Sequence, residues 1–125
     1  MAKILVVDDD LDVRNLVAMV LRDTGHDVES SVDGRDGLGK IAALEPHLVI
    51  LDLMMPEIDG WGFLAALRQR PTAPLVILLS AFANDGETRR RAVEAGVWDC
   101  LAKPFGLPEL VVTCNNALRA LGGKA

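Results

Sequence analysis

What this sequence lacks excludes several classes of protein. Its 125 residues carry a formal net charge of −5, so it has no basic excess that would bind nucleic acid phosphates. Although 50% of the residues are hydrophobic, no apolar run approaches the roughly 18 residues that a membrane-spanning helix needs. The first residues enter a strand pattern at once, which leaves no space for a signal peptide. We therefore expect a cytoplasmic protein that contacts neither nucleic acid nor membranes.

Cysteine, linkers and low-complexity segments are also scarce. Cys100 and Cys114 lie in apolar contexts without the spacing of a metal site, so we interpret them as reduced thiols of a cytosolic core. Residues 122–125 have the composition of a flexible tail. The rest is long enough for one domain with a real hydrophobic core, which we assign to residues 1–121.

Strand and helix patterns alternate along the chain at a spacing of roughly 25 residues. Apolar or β-branched runs typical of strands occupy residues 4–7, 27–32, 48–51, 75–79 and 98–102. Helical periodicity follows each run, and short connections between such units require right-handed crossovers. The pattern predicts an α/β fold, with a doubly wound sheet of five parallel strands and five helices.

Two helix features are specific enough to test. Asn84 and Glu87 have the spacing of a capping box, which predicts Asn84 as the N-cap of the fourth helix. The apolar periodicity of the fifth helix predicts that its buried residues are Leu107, Leu110, Val111, Cys114, Leu118 and Leu121.

Chemically reactive side chains follow four of the predicted strands, at the point where each strand ends. Asp8 and Asp9 follow the first strand, Asp52 the third, Ser80 the fourth and Lys103 the fifth. Because the carboxyl ends of parallel strands meet at one edge of the sheet, we expect these side chains to lie close together. Alone, each has an ordinary explanation: a carboxylate that caps a turn or helix, a hydroxyl that satisfies loop amides, or a solvated lysine. All of them at one edge favour a functional site.

Three carboxylates at one edge repel one another. At about 4 Å and an effective dielectric constant near 20, each like-charge pair costs about 4 kcal/mol. Such a site either takes up a proton or binds a cation, and Mg²⁺ suits carboxylate oxygens. With the repulsion neutralised, Asp52 could act as a nucleophile toward a phosphoryl group. Ser80 and Lys103 could then hold two phosphoryl oxygens.

Five segments in this order resemble the receiver domain of bacterial two-component response regulators, which has the CheY-like, flavodoxin-like fold. They read Val6-Val7-Asp8-Asp9-Asp10, Leu51-Asp52-Leu53-Met54-Met55-Pro56 followed by Asp59-Gly60, Leu79-Ser80-Ala81, Ala95-Gly96 and Leu101-Ala102-Lys103-Pro104-Phe105. The resemblance covers the whole chain and implies the strand order 2-1-3-4-5.

The resemblance also implies a role for each acidic residue of the predicted edge. Asp52 would be the phosphoacceptor. Asp8, Asp9, Asp52 and the backbone carbonyl of Met54 would hold Mg²⁺ as the cofactor.

The resemblance also makes Ser80 the switch hydroxyl and Lys103 the phosphate-binding lysine. The small Ala81 would keep the phosphoryl group accessible, and the peptide bond before Pro104 would be cis. Family members usually have Tyr or Phe three residues before the lysine. This chain has Cys100 there, so we expect switching to depend on other groups, with Phe82 the nearest bulky one.

The implied function is that of a stand-alone response regulator. It would accept a phosphoryl group from a sensor histidine kinase or a histidine phosphotransfer protein, and signal to a downstream protein through direct contact or a phosphorelay. It would not be an enzyme beyond catalysing its own phosphorylation and dephosphorylation.

Three other interpretations stay open at this point. The run Asp8-Asp9-Asp10 also fits the nucleophile motif of haloacid dehalogenase-like phosphatases, although Leu11 matches that motif poorly. A flavodoxin-like flavin carrier shares the architecture, but the acidic first loop would repel a flavin phosphate. A degenerate receiver domain would bind a partner without being phosphorylated.

Overall fold

The structure, a computed structural model, describes residues 2–122. Its strands are β1 (Lys3–Val7), β2 (Asp27–Ser31), β3 (Leu48–Asp52), β4 (Leu75–Ser80) and β5 (Asp99–Ala102). Its helices are α1 (Leu11–Asp23), α2 (Gly34–Leu44), α3 (Gly60–Leu67), α4 (Gly86–Glu94) and α5 (Leu107–Gly122). The strands pair in parallel in the order β2-β1-β3-β4-β5. The predicted fold class and strand order are confirmed.

The sheet is covered on both faces, as its continuous apolar strands require. Adjacent residues of β1 point to opposite faces, so Ile4 and Val6 join one core cluster while Leu5 and Val7 join the other. Helices α1 and α5 cover the first cluster, and α2, α3 and α4 contribute to the second. All five residues of β3 are buried, so Asp52 ends the most enclosed strand of the sheet.

An aspartate caps the N-terminus of each of the first four helices. The side chains of Asp10, Asp33, Asp59 and Asp85 each accept hydrogen bonds from backbone N–H groups in the first turn of α1, α2, α3 and α4. A carboxylate there pairs with unsatisfied N–H groups and interacts favourably with the helix dipole. Asp10 therefore has the ordinary capping role, whereas Asp8, Asp9 and Asp52 remain available for a site.

The predicted N-cap of α4 is wrong by one residue. Asp85, rather than Asn84, caps the helix and accepts from the backbone N–H of Thr88 at 3.1 Å. The Asn84 side chain instead accepts from Arg89 Nη2 at 3.4 Å. A charged carboxylate is the stronger acceptor at a helix N-terminus, which explains why Asp85 takes the position.

The two ends of α5 differ in detail from the sequence prediction. Leu110 and Cys114 are buried as predicted, whereas Leu107, in the first turn of α5, is 37% exposed. Val111, Leu118 and Leu121 are partly buried. Helix α5 extends through Gly122, the first residue of the predicted tail. Residues 123–125 lie outside the described part of the chain.

Helix α4 is the least buried helix of the fold. It buries Ala92 and leaves its other residues exposed or partly exposed. Two polar contacts join its C-terminal half to α3: the Arg91 guanidinium lies 4.4 Å from the centroid of the Trp61 ring, and Arg68 Nη1 donates to the backbone carbonyl of Glu94 at 2.9 Å. Among residues 2–122, we find no helix with both the length and the hydropathy for a bilayer crossing.

Candidate functional site

The order of the strands brings the three acidic residues together. Asp8 follows β1, Asp52 ends β3, and these two strands are neighbours in the sheet, with Val7 opposite Leu51. Asp8, Asp9 and Asp52 each place one carboxylate oxygen within 4.8 Å of the others. Asp8 and Asp52 are buried, whereas Asp9 is exposed. The site is therefore an acidic cluster that is open to solvent on the side of Asp9.

Lys103 lies between the two buried carboxylates. Its Nζ atom is 3.0 Å from Asp8 Oδ2 and 3.1 Å from Asp52 Oδ1. Burial lowers the pKa of Lys103, but the hydrogen bonds and negative charges of Asp8 and Asp52 outweigh it, so the net pKa shift is upward. The ammonium group therefore stays charged. The peptide bond between Lys103 and Pro104 is cis, as the resemblance implied.

One ammonium group does not neutralise the cluster. Burial, followed by the charge of Asp8, raises the pKa of Asp52 to about 6, against the opposing effect of Lys103. This direction means that ionised Asp52 is disfavoured by its surroundings. A hard divalent cation would relieve that repulsion, and three carboxylates are the oxygen donors such a cation prefers. The residues present therefore fit a bound metal ion.

Ser80 lies on the opposite side of Asp52 from Asp8, at the end of β4. The residue is buried, and its Oγ atom accepts from the backbone N–H of Phe82 at 2.9 Å. Its carbonyl accepts from the backbone N–H of Lys103 at 3.0 Å, so the serine and the lysine are connected through the main chain. Ala81 and Phe82 follow on the surface, with Phe82 55% exposed.

Met54 lies in the loop after β3 with its side chain 64% exposed. This loop closes tightly, since the N–H of Gly60 donates to the carbonyl of Leu53 at 2.8 Å. A Cβ atom on Gly60 would lie 2.8 Å from the Leu53 Cα atom, so glycine is required for the loop to return this closely.

Cys100 is half-buried in β5, three residues before Lys103. Burial raises the pKa of its thiol, which therefore stays protonated. Cys114 is buried in the other core cluster, and burial raises its pKa to about 12. Both cysteines are free thiols.

Sequence reasoning missed one residue of this region. Arg14, in the first turn of α1, donates from Nη1 to the backbone carbonyl of Asp8 at 2.9 Å. The backbone N–H of Asp10 also returns to Asp8, at 2.9 Å from Oδ1. The sequence feature that could have identified Arg14 is its position one helical turn after the acidic loop. The direction of its side chain, however, cannot be predicted from spacing.

Two comparisons with known proteins, one of the structure and one of the sequence, identify the family to which the chain belongs. The structure is similar to that of the chemotaxis response regulator CheY4 of Vibrio cholerae, with a TM-score of 0.88, 30% identity, and coverage of 94% of this chain and 98% of that one. A family model for the response regulator receiver domain matches residues 4–115. The chain belongs to this family, a membership that argues against the phosphatase and flavin-carrier interpretations.

Curated relatives match over nearly the whole of this chain. It is 37% identical over 117 residues to the probable transcriptional regulator ycf27 of Porphyridium aerugineum, covering 94% of this chain and 48% of the relative. It is 33% identical over 120 residues to the DNA-binding dual master transcriptional regulator RpaA of Synechocystis sp., covering 95% of this chain and 50% of the relative. The chain thus spans about half the length of these relatives.

Proposed function

We propose that residues 1–121 form a receiver domain that accepts a phosphoryl group on Asp52 from a phosphohistidine. The donor would be a sensor histidine kinase or a histidine phosphotransfer protein. The observation that carries the proposal is the Lys103 ammonium group, which bridges Asp8 and Asp52 at 3.0 and 3.1 Å beside the exposed carboxylate of Asp9.

In the proposed reaction, a carboxylate oxygen of Asp52 attacks the phosphorus atom. The bond from phosphorus to the donor imidazole breaks, and its electron pair returns to the imidazole nitrogen. Asp52 is mostly ionised at neutral pH, since its pKa is about 6, and can therefore act as the nucleophile. Lys103 and the Ser80 hydroxyl donate hydrogen bonds to the oxygens of the transferred group.

Asp8, Asp9 and Asp52, together with the Met54 carbonyl, would hold Mg²⁺, which supplies positive charge for the incoming phosphoryl group. Without a cation, the phosphoryl oxygens would meet the negative charges of Asp8 and Asp9. The exposed position of Asp9 leaves the cluster open to solvent for metal entry.

An apolar groove beside Lys103 supports a protein as the phosphoryl donor. Val13, Leu16, Pro104 and Phe105 line a cavity of about 370 Å³ together with Lys103. Leu16 is 40% exposed in this groove, although the apolar periodicity of α1 would place it in the core. A partner that buries apolar side chains in this groove would bring its histidine close to Asp52.

The output we propose is contact with a downstream protein or onward transfer of the phosphoryl group. The net charge of −5 favours a protein target over nucleic acid for this domain. DNA binding appears in the name of RpaA, a protein twice as long as the part that aligns.

The test is phosphorylation by acetyl phosphate with Mg²⁺, followed by intact mass measurement. We expect the wild-type chain to gain one phosphoryl group and Asp52→Asn to gain none. Asp59→Asn, which changes the cap of α3 outside the cluster, is the matched control and should react like wild type. Equal gain by Asp52→Asn would disprove the acceptor assignment. A wild-type chain that folds but never gains the mass would favour the degenerate receiver.

For the switch, we propose that Phe82 rather than Cys100 responds to phosphorylation. The backbone N–H of Phe82 donates to Ser80 Oγ, and the residue is 55% exposed. Phe82→Ala should alter the phosphorylation-induced changes in backbone chemical shift, whereas Cys100→Tyr should alter them little. The reverse pattern would mean that position 100 controls the switch.

A further inference from the structure

The guanidinium group of Arg14 contacts the main chain of the acidic loop, rather than a carboxylate. Its Nη1 atom donates to the carbonyl oxygen of Asp8 at 2.9 Å. That carbonyl belongs to the peptide group that joins Asp8 to Asp9. Because a peptide group is planar and rigid, holding the oxygen fixes the orientation of the whole unit, including the nitrogen of Asp9.

The three carboxylates of the cluster are held to different degrees. Asp8 accepts from the Asp10 N–H and from Lys103, and Asp52 accepts from Lys103. The exposed Asp9 carboxylate lies within hydrogen-bond reach of the Asp52 carboxyl group. Within residues 2–122 it accepts no hydrogen bond from an N–H donor. The direction of Asp9 therefore depends on its backbone more than the directions of the other two do.

We propose that Arg14 is a positioning residue for the metal site, acting through the peptide group between Asp8 and Asp9 to aim the Asp9 carboxylate into the cluster. This inference rests on the proposed Mg²⁺ site. It gives α1 a role in metal affinity, because the arginine lies in the first turn of that helix while the ligands follow β1.

The charge of Arg14 acts in the opposite direction. A guanidinium group near a divalent cation repels it, so a purely electrostatic role predicts tighter Mg²⁺ binding when the arginine is removed. A positioning role predicts weaker binding, because the freed peptide group must be ordered again when the metal binds. The sign of the change in affinity distinguishes the two roles.

Arg22 provides a matched control in the same helix. Its Nη2 atom donates to the backbone carbonyl of Val28 at 2.9 Å, in a contact of the same kind and length as that of Arg14. It lies in the last turn of α1, at the end of the helix away from the acidic loop. Replacing Arg22 removes the same type of side-chain bond without affecting the site.

The experiment is calorimetric titration of the metal-free full chain with Mg²⁺. Loss of a residue that orients a metal ligand typically weakens binding about 10- to 100-fold, and we expect about tenfold for Arg14→Gln. Arg14→Lys should fall between Arg14→Gln and wild type, because it keeps the charge and one donor in a different geometry. Arg22→Gln should bind like wild type. Unchanged or tighter binding by Arg14→Gln would overturn the proposal.

A second measurement separates positioning from general destabilisation. In metal-free protein, the backbone amide resonance of Asp9 should shift in Arg14→Gln and stay in place in Arg22→Gln. If Arg14→Gln does not fold, Arg14→Lys carries the test, and wild-type affinity in that variant would overturn the role of Arg14.

Asp9→Ala distinguishes failure of this inference from failure of the proposed function. If Asp9→Ala binds Mg²⁺ as wild type does, or wild type binds none, the metal site itself is wrong and the role of Arg14 falls with it. If Asp9→Ala loses binding while Arg14→Gln keeps it in full, only the role of Arg14 is wrong.

Discussion

Polar side chains at the amino end of the sheet have one partner each, whereas two of those at the carboxyl end share a single partner. At the amino end, His26 Nδ1 accepts the backbone N–H of Ala2 at 3.3 Å, and His47 Nδ1 accepts that of Lys3 at 3.0 Å. Each backbone donor has one side-chain acceptor there, so each hydrogen bond stabilises the start of β1. At the carboxyl end, Asp8 and Asp52 share the single ammonium group of Lys103. The difference indicates that the carboxyl end is arranged for binding at a cost in stability.

The difference extends to protonation. Burial and the charge of Asp8 raise the pKa of Asp52, so folding favours its protonated form. Burial lowers the pKa of His26, so folding favours its neutral form. The two ends should therefore give opposite slopes of stability against pH in the acidic range.

The largest effect that would test this comparison is a stabilised Asp52→Asn variant. An aspartate whose pKa is about 6 in the folded chain and about 3.9 unfolded lowers the free energy of unfolding as pH rises between those values. In metal-free buffer at pH 7, the variant should be more stable than wild type by up to about 3 kcal/mol. The gain should vanish below about pH 4. Urea unfolding with a chelator measures it.

The control for that measurement is Asp59→Asn, which changes an exposed helix cap and should show no such gain. A variant Asp52→Asn that is less stable than wild type at pH 7 would contradict the comparison, since it would mean that the contact with Lys103 outweighs burial and the charge of Asp8.

A smaller effect is expected at the amino end. His47→Ala removes the acceptor of the Lys3 N–H, and because the contact is exposed, water replaces part of it. The free energy of unfolding should fall by about 1 kcal/mol. Phosphorylation by acetyl phosphate should be unchanged, because the residue lies at the opposite end of the sheet from Asp52. Loss of phosphorylation in a folded His47→Ala variant would break the division between the ends.

The smallest effect concerns the slope of stability against pH. Because the folded chain lowers the pKa of His26, the unfolded chain binds the proton more readily, and stability rises with pH up to the unfolded pKa of about 6.5. This contribution is present above the unfolded pKa and is lost as pH falls through the folded pKa. His26→Gln in the Asp52→Asn background should flatten that rise in urea unfolding. An unaltered slope would show that the pKa of His26 does not differ between the folded and the unfolded chain.

The sequence predicts the positions of the site residues better than their contacts. Continuous apolar runs define the strand ends, and parallel pairing then brings Asp8, Asp52 and Lys103 to one edge. The bridging of both carboxylates by Lys103, and the turn of Arg14 toward a carbonyl, depend on side-chain rotamers that no spacing encodes. The N-cap of α4 was missed by one residue because Asn84 and Asp85 both suit a helix cap, and the charge of Asp85 decides between them.

Helix α4 is joined to the domain mainly by Ala92, by the contact of Arg91 with Trp61 and by that of Arg68 with Glu94. Segments with few buried apolar contacts open locally at low free energy. The amide hydrogens of α4 should therefore exchange with solvent through local opening, whereas those of β3 exchange only when the whole sheet unfolds. A tenfold redistribution of α4 between two positions requires about 1.4 kcal/mol. One hydrogen bond to a charged group, worth about 1.5–3 kcal/mol, is enough to supply it.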